Sequence, residues 1–133
     1  MPKKTIGRFE IADFPEIGLN NVPVKIDTGA YTPSIHFEKA EETLDGLAVY
    51  FFSQQTAAIL IPSYKNSKVR SSNGKLQKRF KIKTQMVFHG KKYRIEFTLA
   101  KRNKMRFPVL LGRKFLSGKF VVDTSLKYTS KSF

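Results

Sequence analysis

The protein has 133 residues, 41% of them hydrophobic and 13% aromatic, which fits one compact domain, residues 1–133, with a buried core. It contains no cysteine, so disulfide bonds, iron–sulfur clusters, thiolate zinc sites and a cysteine nucleophile are excluded. The net charge is +15 and is uneven, since residues 1–62 carry 5 basic and 8 acidic side chains and residues 63–133 carry 20 and 2.

This charge distribution attracts anionic partners to the second half of the chain. It specifies the sign of the partner but not its chemistry. The apolar runs are too short to span a membrane, and no signal-peptide core follows the N-terminus. We therefore expect a soluble, cytoplasmic protein with no membrane partner.

Turn signals recur at short intervals and no long segment has helical periodicity, so the sequence predicts strands. One short helical turn is predicted at residues 114–117. Residues 109–111 are apolar without interruption, as in a strand buried on both faces. The predicted fold class is all-β, in a single domain with at most one short helix. The predicted strands are residues 22–26, 47–52, 57–61, 78–83, 84–88, 93–99, 109–111 and 119–123.

Two hairpins are predicted in the basic half of the chain. One joins residues 84–88 to 93–99 through His89-Gly90. The other turns at Asn73-Gly74, the strongest short hairpin signal in the sequence, because a type I′ turn needs positive φ at two consecutive positions. Its arms are polar and basic, so we expect this hairpin to project over another part of the molecule, with a solvated loop as the alternative.

Asp27 is the best candidate for a catalytic residue. Residues 22–26 deliver its carboxylate to a turn formed by Thr28 and Gly29. Backbone and hydroxyl groups of such a turn hold a carboxylate in one orientation, as a general base aimed at a water molecule requires. The same tripeptide is also ordinary turn chemistry, so these residues alone leave both interpretations open.

Three motifs follow one another along most of the chain. The first contains Asp27, Thr28, Gly29 and Ala30, with Thr32 and His36 downstream. The second contains Val69, Arg70, Ser71, Ser72, Asn73 and Gly74. The third is residues 105–113, with Leu110, Leu111, Gly112 and Arg113 at its end, followed by residues 120–123. Together they resemble the motifs of the retropepsin-like aspartic peptidases and, more closely, of the bacterial RimB-type family within that fold, whose members have often been labelled ATP-dependent zinc proteases.

The resemblance implies a retropepsin-like acid-protease β-barrel in which Asp27, Thr28 and Gly29 form the catalytic turn. Leu110, Leu111, Gly112 and Arg113 are then the structural support beneath that turn. The implied activity is an aspartic endopeptidase acting on poly-glutamate tails, which an ATP-grasp ligase adds to a small-subunit ribosomal protein. A positive excess fits such a polyanion, because charge-assisted hydrogen bonds hold carboxylates. The expected substrate-binding residues are Ala30, Arg70, Ser71, Ser72, Asn73, Lys78, Arg79 and Arg106, with Lys75 and Lys81 also walling the cleft.

The implied mechanism needs two neighbouring carboxylates that share one proton. The chain has one Asp-Thr-Gly, so the simplest arrangement is a two-fold homodimer in which each subunit contributes Asp27. The hairpin at Asn73-Gly74 would close over the peptide as a flap. Asp123 is expected to be a strand-end aspartate bonded to its own turn, because no apolar-apolar-glycine element follows it and Ser125 replaces the glycine.

No cofactor or metal is expected. His36 and His89 do not form a His-x-x-x-His pair, and a zinc site would need carboxylates such as Asp27, Glu38 or Glu41 to complete it. The chain lacks the Gly-x-x-x-x-Gly-Lys frame of a phosphate-binding loop, so ATP dependence fits a partner ligase better.

Two further alternatives remain open. A non-catalytic basic module could bind RNA, with Phe80, Tyr93 and Phe97 between basic residues, although their period of two predicts core positions. A retropepsin-like domain could also bind acidic tails without cutting them. Asp27 separates the nucleic-acid hypothesis from the peptidase, because only a peptidase requires a carboxylate at its centre. Arg113 lacks its usual acidic partner, because Tyr31 stands where many retroviral enzymes carry an acid, so the role of the Arg113 side chain is open.

Overall fold

The computed structural model describes residues 2–52, 57–70, 73–101 and 106–130, and most of these lie in strands. The described elements also include a 3-10 turn (Pro15–Ile17) and a short helix, α1 (Arg113–Leu116). The all-β prediction is confirmed. None of the helices in these ranges is long and apolar enough to cross a membrane. The strands are β1 (Lys4–Ile6), β2 (Phe9–Phe14), β3 (Leu19–Ile26), β4 (Ser34–His36), β5 (Lys39–Thr43), β6 (Gly46–Tyr50), β7 (Ile59–Ile61), β8 (Tyr64–Arg70), β9 (Leu76–Phe88), β10 (Lys91–Ala100), β11 (Val109–Leu111) and β12 (Phe120–Val122).

Six strands close into a barrel in the order β10-β4-β11-β3-β2-β9, because β9 also pairs with β10. β8 extends the sheet outward from β9, β5 to β7 form a second antiparallel sheet, and β1 pairs with β12 in parallel. A small barrel is filled by the side chains that point inward. The fully buried core accordingly includes Val24, Phe14, Phe88, Phe97 and Leu111.

β11 lies between β3 and β4, parallel to β3 and antiparallel to β4. Its three residues are all buried, as predicted for an uninterrupted apolar run. Leu111 is the register partner of Ile26. Because the two strands run in the same direction, Gly112 and Asp27 leave the sheet at the same edge, and this edge carries the candidate site.

The predicted hairpin of β9 and β10 is confirmed, with Phe88 opposite Lys91. Its two turn residues, His89 and Gly90, have φ values of 50° and 75°. Positive φ at both positions is the geometry of a type I′ turn, whose twist matches that of the flanking strands. A positive φ is uncommon for residues other than glycine, and histidine is one of the few, with asparagine and aspartate, that adopt it more often.

The second predicted hairpin joins β8 to β9, with Arg70 opposite Leu76. Gly74 has φ of 83°, but Asn73 is not among the described residues with a positive φ, so this turn lacks the type I′ geometry that the sequence predicted. The Asn73 Oδ1 atom accepts a hydrogen bond of 3.2 Å from the N–H of Lys75. The first part of β9, up to Arg79, is exposed, as expected from its polar composition.

The prediction missed β1, β2, β4, β5 and the first part of β8, of which it gave only the hairpin arm that begins at Val69, and it shifted several bounds by one to three residues. β5 has no alternation to detect, because nearly all of its side chains are exposed. In β2 the pattern is hidden by Glu10, which lies on the buried face with Ala12 and Phe14. The helix begins at Arg113, one residue before the prediction.

Glu10 is completely buried and connects three distant segments. Its carboxylate accepts hydrogen bonds from the N–H of Gly7 (2.7 Å) and from the N–H and hydroxyl of Thr129 (2.9 and 2.6 Å). His89 Nε2 lies 3.3 Å from Glu10 Oε1. A buried carboxylate needs such donors to offset the loss of hydration, so these bonds hold the C-terminal segment against the barrel.

Candidate active site

Asp27 follows directly after β3, and its turn is bonded to β11. The N–H of Asp27 donates to the carbonyl of Leu111 at 2.9 Å, and the N–H of Ala30 donates to the carbonyl of Asp27 at 3.2 Å. The N–H of Gly29 donates to Asp27 Oδ1 at 3.0 Å. The carboxylate is thus held by its own turn, as the sequence predicted. Asp27 is partly exposed and Thr28 and Gly29 are exposed, so solvent reaches this group.

Gly112 lies against the same turn at very short range. A Cβ atom on this residue would stand 2.6 Å from the carbonyl oxygen of Tyr31 and 2.8 Å from that of Ala30. The next two N–H groups, of Arg113 and Lys114, donate to those carbonyls at 2.9 Å each. Only glycine allows this approach, so the residues after β11 pack directly against the Asp27 turn.

Arg113 has a role that the sequence left open. Its guanidinium Nη1 donates to the carbonyl of Thr28 at 2.9 Å and lies 5.8 Å from the centre of the Tyr31 ring. The arginine therefore holds the turn through a backbone carbonyl and an aromatic face.

Asp123 lies in a second turn whose hydrogen bonds repeat those of the first. Its N–H donates to the carbonyl of Ile6 at 2.9 Å, and the N–H of Leu126 returns to the carbonyl of Asp123 at 3.0 Å. Asp123 Oδ1 accepts from the N–H and hydroxyl of Ser125 at 2.9 and 2.6 Å. The Ser125 bonds lower the pKa of Asp123. Asp123 is thus a strand-end aspartate bonded to its own turn, as expected.

Gly7, directly after β1, packs against this second turn as Gly112 packs against the first. A Cβ atom on Gly7 would overlap the carbonyl of Leu126, and the N–H of Arg8 donates to that carbonyl at 2.9 Å. The sequence analysis looked for a glycine element only after Asp123, but the structure provides one before it. The available signal was an apolar residue followed by Gly-Arg, which occurs at Ile6-Gly7-Arg8 and again at residues 111–113.

A family model described as "RimB-like: Retropepsin-like aspartic endopeptidase RimB" matches residues 5–132. The chain belongs to this family. The suspected resemblance is thereby confirmed for nearly the whole sequence.

Similar proteins include two that are named "Probable alpha-L-glutamate ligase". The protein from Desulfotalea psychrophila is 30% identical over 134 residues, which covers 94% of this chain and 29% of the relative. The protein from Shewanella halifaxensis is 31% identical over 132 residues, covering 92% and 29%. The RimB-like chain therefore spans less than a third of the length of these curated relatives.

The crystal structure of Lpg0085 from Legionella pneumophila, a protein of unknown function, has a similar fold. The TM-score is 0.64 at 20% sequence identity, and the match covers 98% of this chain and all of that one. At this identity the likeness supports the fold alone.

The predicted substrate-binding residues of the RimB-like chain are only partly described. Ser71, Ser72 and the side chain of Arg70 lie outside the described residues. Lys78 forms an ion pair of 2.6 Å with Glu42, and the Arg79 side chain is exposed on β9. The Lys78 ion pair was not visible in the sequence, because β5, which carries the acid, has no recognisable pattern.

Arg106 and Ala30 complete the predicted set. The Arg106 guanidinium carbon lies 6.0 and 5.8 Å from the ring centres of Phe9 and Phe107, which stack on each other at 4.3 Å. Ala30 contributes its backbone to the Asp27 turn, since its carbonyl accepts from Arg113. Among the predicted site residues that the structure describes, residues 27–30 and 110–113 are in direct contact.

The two histidines lie in separate pairs. His36 Nε2 is 2.8 Å from Glu38 Oε1, and His89 contacts Glu10. Within the described part of the chain, no cluster of three or more His, Asp or Glu residues is arranged to hold a metal ion.

Proposed function

We propose that the protein is an aspartic endopeptidase that hydrolyses peptide bonds in acidic polypeptide, with poly-glutamate as its substrate. The observation that carries this proposal is the Asp27 turn, in which Gly29, Leu111 and Gly112 hold one partly exposed carboxylate at the edge of the barrel. Membership of the RimB-like family supports the same chemistry.

The catalytic unit in this proposal is a two-fold homodimer, because the chain has one Asp-Thr-Gly and the reaction uses two carboxyl groups. The ionised Asp27 takes a proton from water, whose oxygen attacks the scissile carbonyl carbon. The protonated Asp27 of the second copy gives its proton to the carbonyl oxygen. The Asp27 that took the proton from water then gives it to the departing nitrogen as the C–N bond breaks. A hydroxyl proton of the tetrahedral intermediate returns to the other Asp27, so that the pair again shares one proton.

Two observations support an acidic substrate. Residues 63–133 carry 20 basic side chains and only 2 acidic ones, a field that concentrates polyanions. The relatives named as probable alpha-L-glutamate ligases contain a segment similar to this chain within a longer protein. A peptidase joined to a ligase that makes glutamate chains would have its substrate supplied at the same place.

Incubation of the purified protein with poly-α-glutamate, followed by mass spectrometry, tests the proposal. We expect shortening by the wild type, and loss of at least about a thousandfold in rate for Asp27→Asn, because the amide cannot take the proton from water. Asp123→Asn is the matched control, since its turn has the same hydrogen bonds, and its rate should stay within about threefold of wild type.

Other outcomes would contradict the proposal in different ways. Loss of cleavage with a chelator would indicate metal-dependent hydrolysis. Equal losses in Asp27→Asn and Asp123→Asn would mean that the substitutions act through stability. Binding of poly-glutamate without any cleavage across the acid and neutral pH range would identify a basic module that recognises acidic tails.

A further inference from the structure

A groove of about 510 Å³ opens on the outside of the barrel, away from the Asp27 turn. Ile17 lies at this groove, just before β3, whereas Asp27 lies just after it. β3 has 8 residues, so these two points are about 23 Å apart along the strand. No residue of the Asp27 turn, among those described, lines the groove, whereas Lys81, which the sequence analysis assigned to the cleft, does line it.

The groove lies at a gap in the sheet beside β9. β8 pairs with β9 up to Ile82, and β2 pairs with it only from Val87, while β10 occupies the opposite side. Residues 83–86 therefore have no neighbouring strand on this side. The N–H of Gln85 instead donates to a carboxylate oxygen of Glu16 at 3.0 Å. The gap thus already accepts one carboxylate beside the backbone of β9.

Lysine side chains from two strands converge on the groove. Lys65 and Lys81 are directly opposite each other in the β8–β9 register, an arrangement of like charges that costs stability. Glu96 meets this cluster with one carboxylate, which lies 3.1 Å from Lys65 Nζ. The hydrogen bond from Lys65 and the charges of Lys65, Lys81 and Lys114 lower the pKa of Glu96. Glu96 also lies directly opposite Lys83 in the β9–β10 register, so one carboxylate faces Lys65, Lys81 and Lys83, and this cluster keeps a net positive charge.

Lys81 and Lys83 lie on the same face of β9, two residues apart, and form no ion pair with a carboxylate of the described residues. Alternate residues of a strand are spaced by about 6.7 Å, which is also the spacing of alternate side chains in an extended peptide. An extended acidic chain beside β9 therefore presents every second carboxylate to a lysine. Protection of a sheet edge does not explain Lys81, because this residue has strand partners on both sides, Lys65 in β8 and Thr98 in β10.

The walls of the groove suit a peptide better than a nucleic acid. Leu60 is a half-exposed apolar residue beside the lysines. One aromatic ring, that of Tyr64, lines the groove, and it packs against Phe80 with 5.9 Å between the ring centres, whereas single-stranded nucleic acid is usually bound by several rings on which successive bases stack.

We propose that this groove is a second binding site, which holds an extended acidic polypeptide against Lys81 and Lys83 outside the cleavage site. The inference deepens the proposed function and rests on it for the nature of the occupant. A long acidic chain would bind at both places, whereas a chain of about six residues, spanning about 20 Å, is too short to do so.

Fluorescence anisotropy with a labelled poly-L-glutamate of about 20 residues tests this site, in the Asp27→Asn background so that no chain is cut. We expect the double variant Lys81→Gln, Lys83→Gln to bind at least about tenfold more weakly. The matched control is Lys91→Gln, Lys92→Gln, which removes the same charge from exposed positions on the same hairpin. The affinity of this control for the labelled chain should fall by less than about twofold. Equal losses in both variants would overturn the proposal, because only net charge would then matter.

A second measurement separates this proposal from the proposed function. With Asp27 intact, we expect the Lys81, Lys83 variant to lose at least about fivefold more kcat/KM on the long chain than on a chain of about six residues. If the wild type cuts neither chain but the variant still loses binding, the peptidase proposal fails and the groove remains. If the wild type cuts both and the variant matches the control, the groove proposal fails. Tighter binding of an RNA homopolymer, dependent on the same lysines, would overturn it in favour of nucleic acid.

Discussion

Gly112 shows how one residue determines the geometry of the candidate site. Its φ of −100° is open to any L residue, so backbone conformation does not require glycine here. Glycine is required because there is no space for a side chain, since the carbonyl oxygens of Ala30 and Tyr31 occupy its position. These oxygens belong to the backbone and cannot move aside without moving the Asp27 turn.

We expect Gly112→Ala to lower the free energy of unfolding by about 1–3 kcal/mol and to abolish cleavage, since the methyl group must push the turn away. Gly7→Ala is the matched control, because Gly7 lies equally close to the backbone of the Asp123 turn. It should lose similar stability in urea unfolding but retain cleavage. Retention of full activity by Gly112→Ala would show that the turn tolerates the shift and that its fit is not functional.

At the scale of elements, the β9–β10 hairpin depends on a turn that contains the buried side chain of His89. His89 combines a positive φ with a side chain that is 3% exposed and lies beside Glu10. Burial lowers the pKa of His89 below its usual 6.5, although the charge of Glu10 opposes this change. The folded protein therefore binds this proton less readily than the unfolded chain does.

Because the pKa of His89 is lower in the folded protein than in the unfolded chain, the stability of the fold depends on pH. As the pH falls below about 6.5, the unfolded chain takes up the proton first, so the stability of the fold decreases. We expect the melting temperature of the wild type to fall more steeply between about pH 7 and about pH 5 than that of His89→Asn. Asparagine accepts the positive φ and forms an Asn-Gly turn, so the hairpin is kept. Parallel pH profiles for the two proteins would refute this role of His89.

At the scale of the whole molecule, the charge is concentrated in the second half of the sequence, which supplies β8 to β12. Long-range attraction of this kind is screened by salt, because the Debye length falls from about 10 Å at 0.1 M to about 3 Å at 1 M. The chemical step at a carboxylate pair depends on groups in direct contact, so its rate responds less to salt.

We therefore expect KM for poly-glutamate to rise at least about tenfold over that range of salt, while kcat changes less than about twofold. Steady-state kinetics at several concentrations of potassium chloride measure both constants. A kcat that falls with an unchanged KM would contradict this prediction, since binding would then not depend on the basic surface.

Much of the fold could be predicted because its signals are local. The period of two in β9 and β10, the apolar run of β11 and the two hairpin turns all lie within a few neighbouring residues. The Asp27 turn was found for the same reason. Glu10 shows the limit, because a buried carboxylate looks like a surface residue until its donors from Gly7 and Thr129 are known.

The sequence by itself determined the all-β class, the family, the candidate carboxylate and the sign of the charge, since each depends on residue types and short spacings. Only the tertiary structure decided which strands meet. It brought Gly7 beneath the Asp123 turn, and Lys65 opposite Lys81 at a gap in the sheet. Pairing between distant strands depends on barrel closure and register, which are set by the packing of the whole core and not by any local pattern.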